Sequence, residues 1–208
     1  MSLVVDRYVL DPRYAANCWV VRAAPGGPAA VVDPGGDPAP LLDDAVETAG
    51  ILVTHGDVDH IAGVAELARR TAAPVWMPAG EAAALRTGTT RGGLAVEPLD
   101  SANDVRGGDT ISVAGIVFDV VDVPGHSSGH VAYHAEGLLF SGDLLFAGSV
   151  GRVDFPGGDW QALLASVRAL LERFGPDTAV YPGHGDPTTL GRELRSNPFL
   201  GELRANAS

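Results

Sequence analysis

The stretch Thr54-His55-Gly56-Asp57-Val58-Asp59-His60 places two imidazoles and two carboxylates within six residues, directly after the apolar run Ile51-Leu52-Val53. A strand that ends in such a burst is poorly suited to a core. It is well suited to metal, because imidazole nitrogens and carboxylate oxygens ligate zinc, iron and manganese. Three later stretches repeat the theme with one residue each: Val123-Pro124-Gly125-His126, Ser141-Gly142-Asp143 and Tyr181-Pro182-Gly183-His184. Each puts a His or Asp just past an apolar run, beside a glycine that permits a sharp turn. Singly, each reads equally well as an ordinary turn; the ordered set points to a metal centre.

Something must carry these residues to one place. Leu3-Val4-Val5 with Tyr8-Val9-Leu10, then Asn17 to Arg22 and Ala29 to Asp33, read as successive strands, with Pro25-Gly26-Gly27-Pro28 as a hairpin turn. Leu41 to Val46 has helical spacing, Ile51 to Val53 is a strand, and Ile61 to Leu67 a helix, so the His/Asp cluster is expected on a strand-to-helix loop. Pro74 to Met77 reads as a strand, Glu81 to Arg86 as a short helix and Thr87 to Gly93 as a mobile loop. Strands then dominate: Asp109 to Val113, Ile116 to Val123, Val131 to His134 and Leu138 to Ser141. Asp159 to Phe174 carries a helical stripe, Leu163, Leu164, Val167, Leu170 and Leu171, with Asp159 as its N-cap. Ala179 to Tyr181 is a last strand and Thr188 to Arg195 a last helix. No repeat or linker divides the chain, and residues 1–208 read as one domain.

In its order and glycine contexts this constellation resembles the metallo-β-lactamase fold superfamily, whose members follow H-x-H-x-D-H with a later His, a bridging Asp and a last His. Val31-Val32-Asp33-Pro34-Gly35-Gly36 is similar to its early strand. The resemblance implies an α/β fold, an αββα sandwich with two divalent ions (zinc, iron or manganese) at one edge between the sheets. It places the first ion on His55, Asp57 and His126 and the second on Asp59, His60 and His184, with Asp143 bridging. A hydroxide held between the ions is the nucleophile it implies, with Asp59 also catalytic as the residue that orients it. Asp33 is expected to support a ligand or a turn rather than to ligate.

Position 57 departs from the pattern, with Asp where the family usually has His. One reading is a first site that no longer holds metal, leaving a mononuclear or inactive protein. The other is a working site with a harder ligand that favours iron or manganese over zinc. For the second, Asp57, Asp59, Asp143 and one hydroxide would balance two divalent cations.

The run Gly142-Asp143-Leu144-Leu145-Phe146-Ala147-Gly148-Ser149-Val150-Gly151-Arg152-Val153-Asp154-Phe155 is similar to the glyoxalase II group, particularly its short single-domain members. That resemblance implies hydrolysis of an S-2-hydroxyacyl thiol to a hydroxy acid and free thiol, with a small-molecule thioester as the partner. Arg152, Phe146 and Phe155 are candidates to line the approach to the metals; equally, Arg152 could pair with Asp154 or Asp159 and the aromatics could be core. Larger members hold glutathione with a basic C-terminal helical domain; this chain has no Lys and ends soon after the last ligand, so another small thiol or an unrelated acyl thioester is an equally open expectation for the substrate. Two other classes remain: a mononuclear iron enzyme resembling persulfide dioxygenases, which share a G-R-x-D-F run, and a non-catalytic metal-binding relative.

Composition excludes more than it identifies. All 14 basic residues are Arg, which removes Lys-dependent Schiff-base and P-loop chemistry. A formal charge of −12 argues against a nucleic-acid or anionic-membrane partner. The single cysteine, Cys18, cannot form an internal disulfide, and no apolar run reaches spanning length. A cytoplasmic protein is the expectation.

Overall fold

The computed structural model describes residues 2–205. The first half of the chain builds one six-stranded sheet in chain order: β1 (Val4–Tyr8), β2 (Cys18–Arg22), β3 (Ala29–Val32), β4 (Thr48–Leu52), β5 (Val75–Pro78) and β6 (Asn103–Val105). β1 to β3 pair antiparallel, and β3 to β6 run parallel. The second half builds another: β7 (Thr110–Val113), β8 (Ile116–Asp122), β9 (Val131–Ala135), β10 (Leu138–Gly142), a small separate hairpin of β11 (Leu145–Phe146) and β12 (Ser149–Val150), then β13 (Ala179–Pro182) and β14 (Thr188–Thr189). Its spatial order is β14-β13-β10-β9-β8-β7, with β10 and β13 parallel.

Three apolar layers hold the sandwich together. Between the sheets, Trp19, Val21, Val32 and Leu52 meet Phe118, Val120, Tyr133 and Phe140. Outside the first sheet, the alternate residues Val20, Val31, Ile51 and Val53 pack under α1 (Ala39–Asp43), α2 (Val58–Ile61), α3 (Val64–Thr71) and α4 (Ala83–Thr87), through Leu41, Ile61, Leu67 and Leu85. Outside the second, Val121, Leu139 and Val180 lie under α5 (Trp160–Arg173) and α6 (Leu190–Ser196); a short α7 (Gly201–Ala205) follows. Strands buried on both faces explain the nearly continuous apolar runs Cys18-Trp19-Val20-Val21 and Ala29-Ala30-Val31-Val32. This is the expected αββα sandwich of an α/β protein. No described helix is long and apolar enough to cross a membrane.

Two local expectations change. The helix expected from Ile61 to Leu67 is broken into α2 and α3 at Gly63, whose N–H donates to Pro34 O at 2.9 Å and which packs so close to Gly36 that a side chain would stand 2.0 Å from its carbonyl oxygen. Backbone contact there forces the chain to turn. Asp57 therefore becomes the residue before α2, and Asp59 and His60 sit inside that short helix rather than on a loop. The segment expected as a mobile loop after α4 is instead closed on itself: Thr90 N donates to Leu94 O at 2.9 Å, Gly93 N to Thr90 O at 2.9 Å and Leu94 N to Thr90 Oγ1 at 3.2 Å. The helix expected from Asp159 does start there, with Asp159 accepting from Ala162 N at 2.9 Å as its N-cap.

Candidate metal centre

Five strands deliver the candidate ligands from one edge of the sandwich. Asp33 follows β3, His55 follows β4, His126 follows β8, Asp143 follows β10 and His184 follows β13. Gly183 N donates to Gly142 O at 2.8 Å, which ties the Asp143 and His184 turns together. Asn17 and Trp19, from the opposite sheet, both donate to the Pro182 carbonyl, at 2.9 and 3.0 Å, and Asn17 also reaches Gly185 O at 2.9 Å. The sheets are thus locked to each other beside His184. The glycines before the ligands are needed for different reasons. Gly142, at φ +48, and Gly125, at φ +145, hold backbone that other residues rarely adopt. Gly183 is required for space, since a Cβ there would lie 2.1 Å from Asp143 Oδ1 and 2.8 Å from His60 Cε1.

Asp33 supports the centre without facing it. It is buried with φ +54, and its Oδ1 accepts from Thr54 N at 2.8 Å. Its Oδ2 accepts from Thr54 Oγ1 at 2.7 Å and from His60 Nδ1 at 2.9 Å. Because the Thr54 hydroxyl proton goes to Asp33, Thr54 Oγ1 receives the His55 Nδ1 proton at 3.0 Å. One carboxylate therefore holds the Nδ1 proton of His60 directly and that of His55 through Thr54, and turns each Nε2, the nitrogen whose lone pair a cation would use, toward the centre.

Those lone pairs are uncompensated. His55 Nε2, His60 Nε2 and Asp143 Oδ1 are buried and have no hydrogen-bond partner, which is costly unless a cation satisfies them. Three groups of donors lie within 4.8 Å of one another: His55 with His60 and Asp143, His55 with Asp57 and His126, and Asp59 with His60 and His184. Around the last group, His60 Nε2 is 3.3 Å from Asp143 Oδ1 and 3.8 Å from Asp59 Oδ2, and His184 Nε2 is 3.3 Å from Asp59 Oδ2 and 3.4 Å from Asp143 Oδ2. Ligand atoms about 2.0–2.1 Å from one tetrahedral ion stand roughly 3.3 Å apart. Asp59, His60 and His184 therefore fit a single ion, with Asp143 presenting one oxygen to His60 and the other to His184.

The electrostatics agree. Burial pushes the His55 pKa well below its ordinary value, aided by the neighbouring His60, so its ring is neutral and able to ligate. Burial also opposes charge on His60, His184 and Asp143, but their mutual attraction wins. Asp143 and Asp33 raise His60 well above the usual value, Asp143 and Asp59 raise His184 to about 9, and His60 holds Asp143 well below the carboxylate range. Without metal, protons on the histidines neutralise the carboxylates.

The sequence-derived ligands His55, Asp57, Asp59, His60, His126, Asp143 and His184 are all brought together. They open into a cleft of about 230 Å³ that Arg152 and Phe155 help to line. Arg152 does pair with Asp154, at 2.7 and 2.8 Å, and its guanidinium lies over the Phe155 ring at 4.1 Å. Phe146 stands edge-on to the His184 ring at 5.7 Å. His130, which the sequence left outside the site, is buried with both ring nitrogens unpartnered, and its ring packs 4.7 Å from that of His55. Burial drives its pKa well down, so it acts as a neutral plate behind the ligand.

One participant has no precursor in the sequence reading. Arg91, in the closed turn after α4, grips Asp57 with Nε at 2.6 Å and Nη2 at 2.7 Å. Burial alone would push the Asp57 carboxyl up, but the two bonds from Arg91 hold it well below the carboxylate range.

A sandwich with this donor set at the strand ends defines an αββα protein with a candidate metal centre. The chain belongs to the metallo-beta-lactamase superfamily, which residues 11–184 match. It is similar to hydroxyacylglutathione hydrolase GloC of Haemophilus influenzae, 34% identical over 186 residues that cover 83% of this chain and 87% of the relative. Among solved structures it is similar to BLEG-1 B3 metallo-beta-lactamase, with TM-score 0.84 and 30% identity over 95% of this chain and 100% of that one. It is also similar to TTHA1623 in a di-iron-bound form, with TM-score 0.80 and 37% identity over 94% and 100%.

Proposed function

We propose that the protein is a metal-dependent hydrolase of thioesters, releasing a hydroxy acid and a free thiol. The observation that carries the reading is the convergence of Asp59, His60, Asp143 and His184 at one-ion spacing, with orphaned buried donor atoms, at the foot of a cleft. A divalent ion bound there supplies a Lewis acid and lowers the pKa of water at neutral pH. Asp59, with its carboxylate 16% exposed beside His184, is positioned to accept a proton from attacking water and to orient it. Thiolate is a good leaving group, so the absence of a strong acid opposite these residues is no obstacle. Arg152, braced by Asp154 and lying on Phe155, presents a fixed cation at the cleft wall that suits an anionic thiol carrier. The run from Gly142 to Phe155 and the likeness to GloC support the thioester over other carbonyl substrates.

The test is hydrolysis of S-D-lactoylglutathione by protein supplied in turn with zinc, iron(II) and manganese. Metal-dependent turnover that Asp143→Ala abolishes is the expected result. Likeness to BLEG-1 favours one second reading, cleavage of a β-lactam ring. Turnover of a chromogenic β-lactam but not of the thioester would replace the proposal, and oxygen uptake with glutathione persulfide would move the protein to iron dioxygenase chemistry.

A further inference from the structure

Arg91 makes five polar contacts, which use every N–H of its guanidinium. Nε donates to Asp57 Oδ1 at 2.6 Å, and Nη2 to Asp57 Oδ2 at 2.7 Å and to His126 Nε2 at 2.8 Å. Nη1 donates to the His126 carbonyl at 2.7 Å and to the Pro156 carbonyl at 3.1 Å. His126 Nε2 lies 2.8 Å from Arg91 Nη2 and 3.1 Å from Asp57 Oδ2; arginine has no acceptor atom, so in the shorter contact Nε2 is the acceptor and the Asp57 approach is then a contact without a proton. The rest of the ring agrees, because His126 Nδ1 lies 2.8 Å from the Arg152 carbonyl and has to be the protonated nitrogen. An imidazole nitrogen has one in-plane lone pair. The pair that would bind the first ion of the superfamily pattern is already given to Arg91.

Charge leads to the same place. Asp59 and Asp143 together neutralise one divalent ion, and the fixed cation of Arg91 neutralises Asp57. Two divalent ions beside Arg91 would put five positive charges against three carboxylates and one hydroxide, an excess of one, in a region where Asp57 and Arg91 side chains are only 19% and 13% exposed. Uncompensated charge in so dry a place is strongly disfavoured.

We infer that Arg91 takes the place of the first metal ion: its guanidinium, clamped on Asp57 and His126, excludes metal from that half of the centre and leaves a mononuclear enzyme whose ion sits among Asp59, His60, Asp143 and His184, within reach of the orphaned His55 Nε2 through the His55, His60 and Asp143 group. This rests on the metal-centre reading of the proposed function and goes beyond it by fixing the number of ions. It also gives the Asp at position 57 a physical role. A carboxylate accepts the two-pronged guanidinium, which the imidazole usual at this position cannot do. Arg91 is a positioning residue and a fixed charge, with no free N–H to offer a substrate.

The decisive measurement is metal content by mass spectrometry after loading with excess manganese(II) and removal of free ion, together with the electron paramagnetic resonance spectrum. The parent protein is expected to hold one ion per chain and to give the six-line pattern of isolated manganese. Arg91→Ala is expected to hold two and to show an exchange-coupled pair. Two coupled ions in the parent protein would overturn the inference while leaving the hydrolase reading intact, and this outcome needs no variant to fold. Folded Arg91→Ala protein that still binds one ion would show that Arg91 is not what excludes the other. No bound ion in either protein would overturn both readings.

Discussion

Asp33→Asn tests whether one buried carboxylate sets the protonation of the ligand histidines. Asparagine is the right probe because it tolerates the left-handed backbone, φ +54, that Asp33 occupies. Its amide has one oxygen where the carboxylate has two. If that oxygen keeps the bond to Thr54 N, the amide nitrogen faces Thr54 Oγ1 and His60 Nδ1, which now stand 2.7 and 2.9 Å from Asp33 Oδ2. His60 Nδ1 must then accept, so its proton moves to Nε2, the atom aimed at Asp143 Oδ1 at 3.3 Å. A protonated Nε2 cannot ligate. If the amide is turned the other way, two N–H donors meet at Thr54 N, and a buried unsatisfied donor costs about 1–3 kcal/mol. Loss of such an orienting partner typically weakens metal binding about 10–100-fold, or roughly 1.4–2.7 kcal/mol. Competition with a chromophoric chelator for zinc at fixed pH measures this directly, with circular dichroism to show that the fold is retained. Equal zinc affinity in the folded variant and the parent would refute the idea that Asp33 governs the tautomers.

Gly183→Ala should lose bound metal and about 1–3 kcal/mol of stability by overpacking, because the new methyl would meet Asp143 Oδ1 at 2.1 Å; undiminished metal content and an unchanged melting temperature would mean the turn can yield. Metal binding should release two protons per ion at pH 7, from His60 and from His184, whose pKa is raised to about 9. Affinity should therefore rise with pH up to that value, and calorimetry in buffers of different ionisation enthalpy would show no buffer dependence if the histidines were already neutral. The same raised His184 pKa stabilises the metal-free fold fully below its unfolded value near 6.5, and that contribution fades as pH rises through about 9.

What the sequence disclosed and what it withheld follow from the reach of each interaction. The strands and α5 were legible because their burial repeats every two or about 3.6 residues, and because Asp159 marks the start of α5 by a contact three residues away. Each candidate cluster begins just past such a strand, so the ordered polar punctuations picked out the seven residues that the fold gathers at one edge. The broken helix at Gly63 was not legible, since it rests on contacts with Pro34 and Gly36, from another segment. Arg91 was hidden for the same reason on a larger scale. Its partners are 34 and 35 residues away, and its own surroundings, Thr89-Thr90-Arg91-Gly92-Gly93, have the composition of an ordinary surface loop. His130 was passed over because a histidine beside a ligand gives no local sign that both its nitrogens will be buried without partners.

Asp57 and Arg91 make physical sense only as a pair. Taken alone, the aspartate looks like a harder metal ligand, and charge counting with two ions comes out neutral. Adding one buried guanidinium to that count leaves one positive charge over, whereas a single ion with a neutral water beside Arg91 balances the three carboxylates. The same logic assigns different work to the two arginines at the cleft. Arg91 is saturated with acceptors and 13% exposed, so it can shape the centre but cannot bind what enters. Arg152 is bound only to Asp154, is 57% exposed, and lies over Phe155 facing the cleft. Replacing Arg152 should therefore change affinity for an anionic substrate with little effect on metal content, and replacing Arg91 should change the metal content itself. The separation of those two readouts distinguishes a cation that recognises the substrate from one that has become part of the metal site.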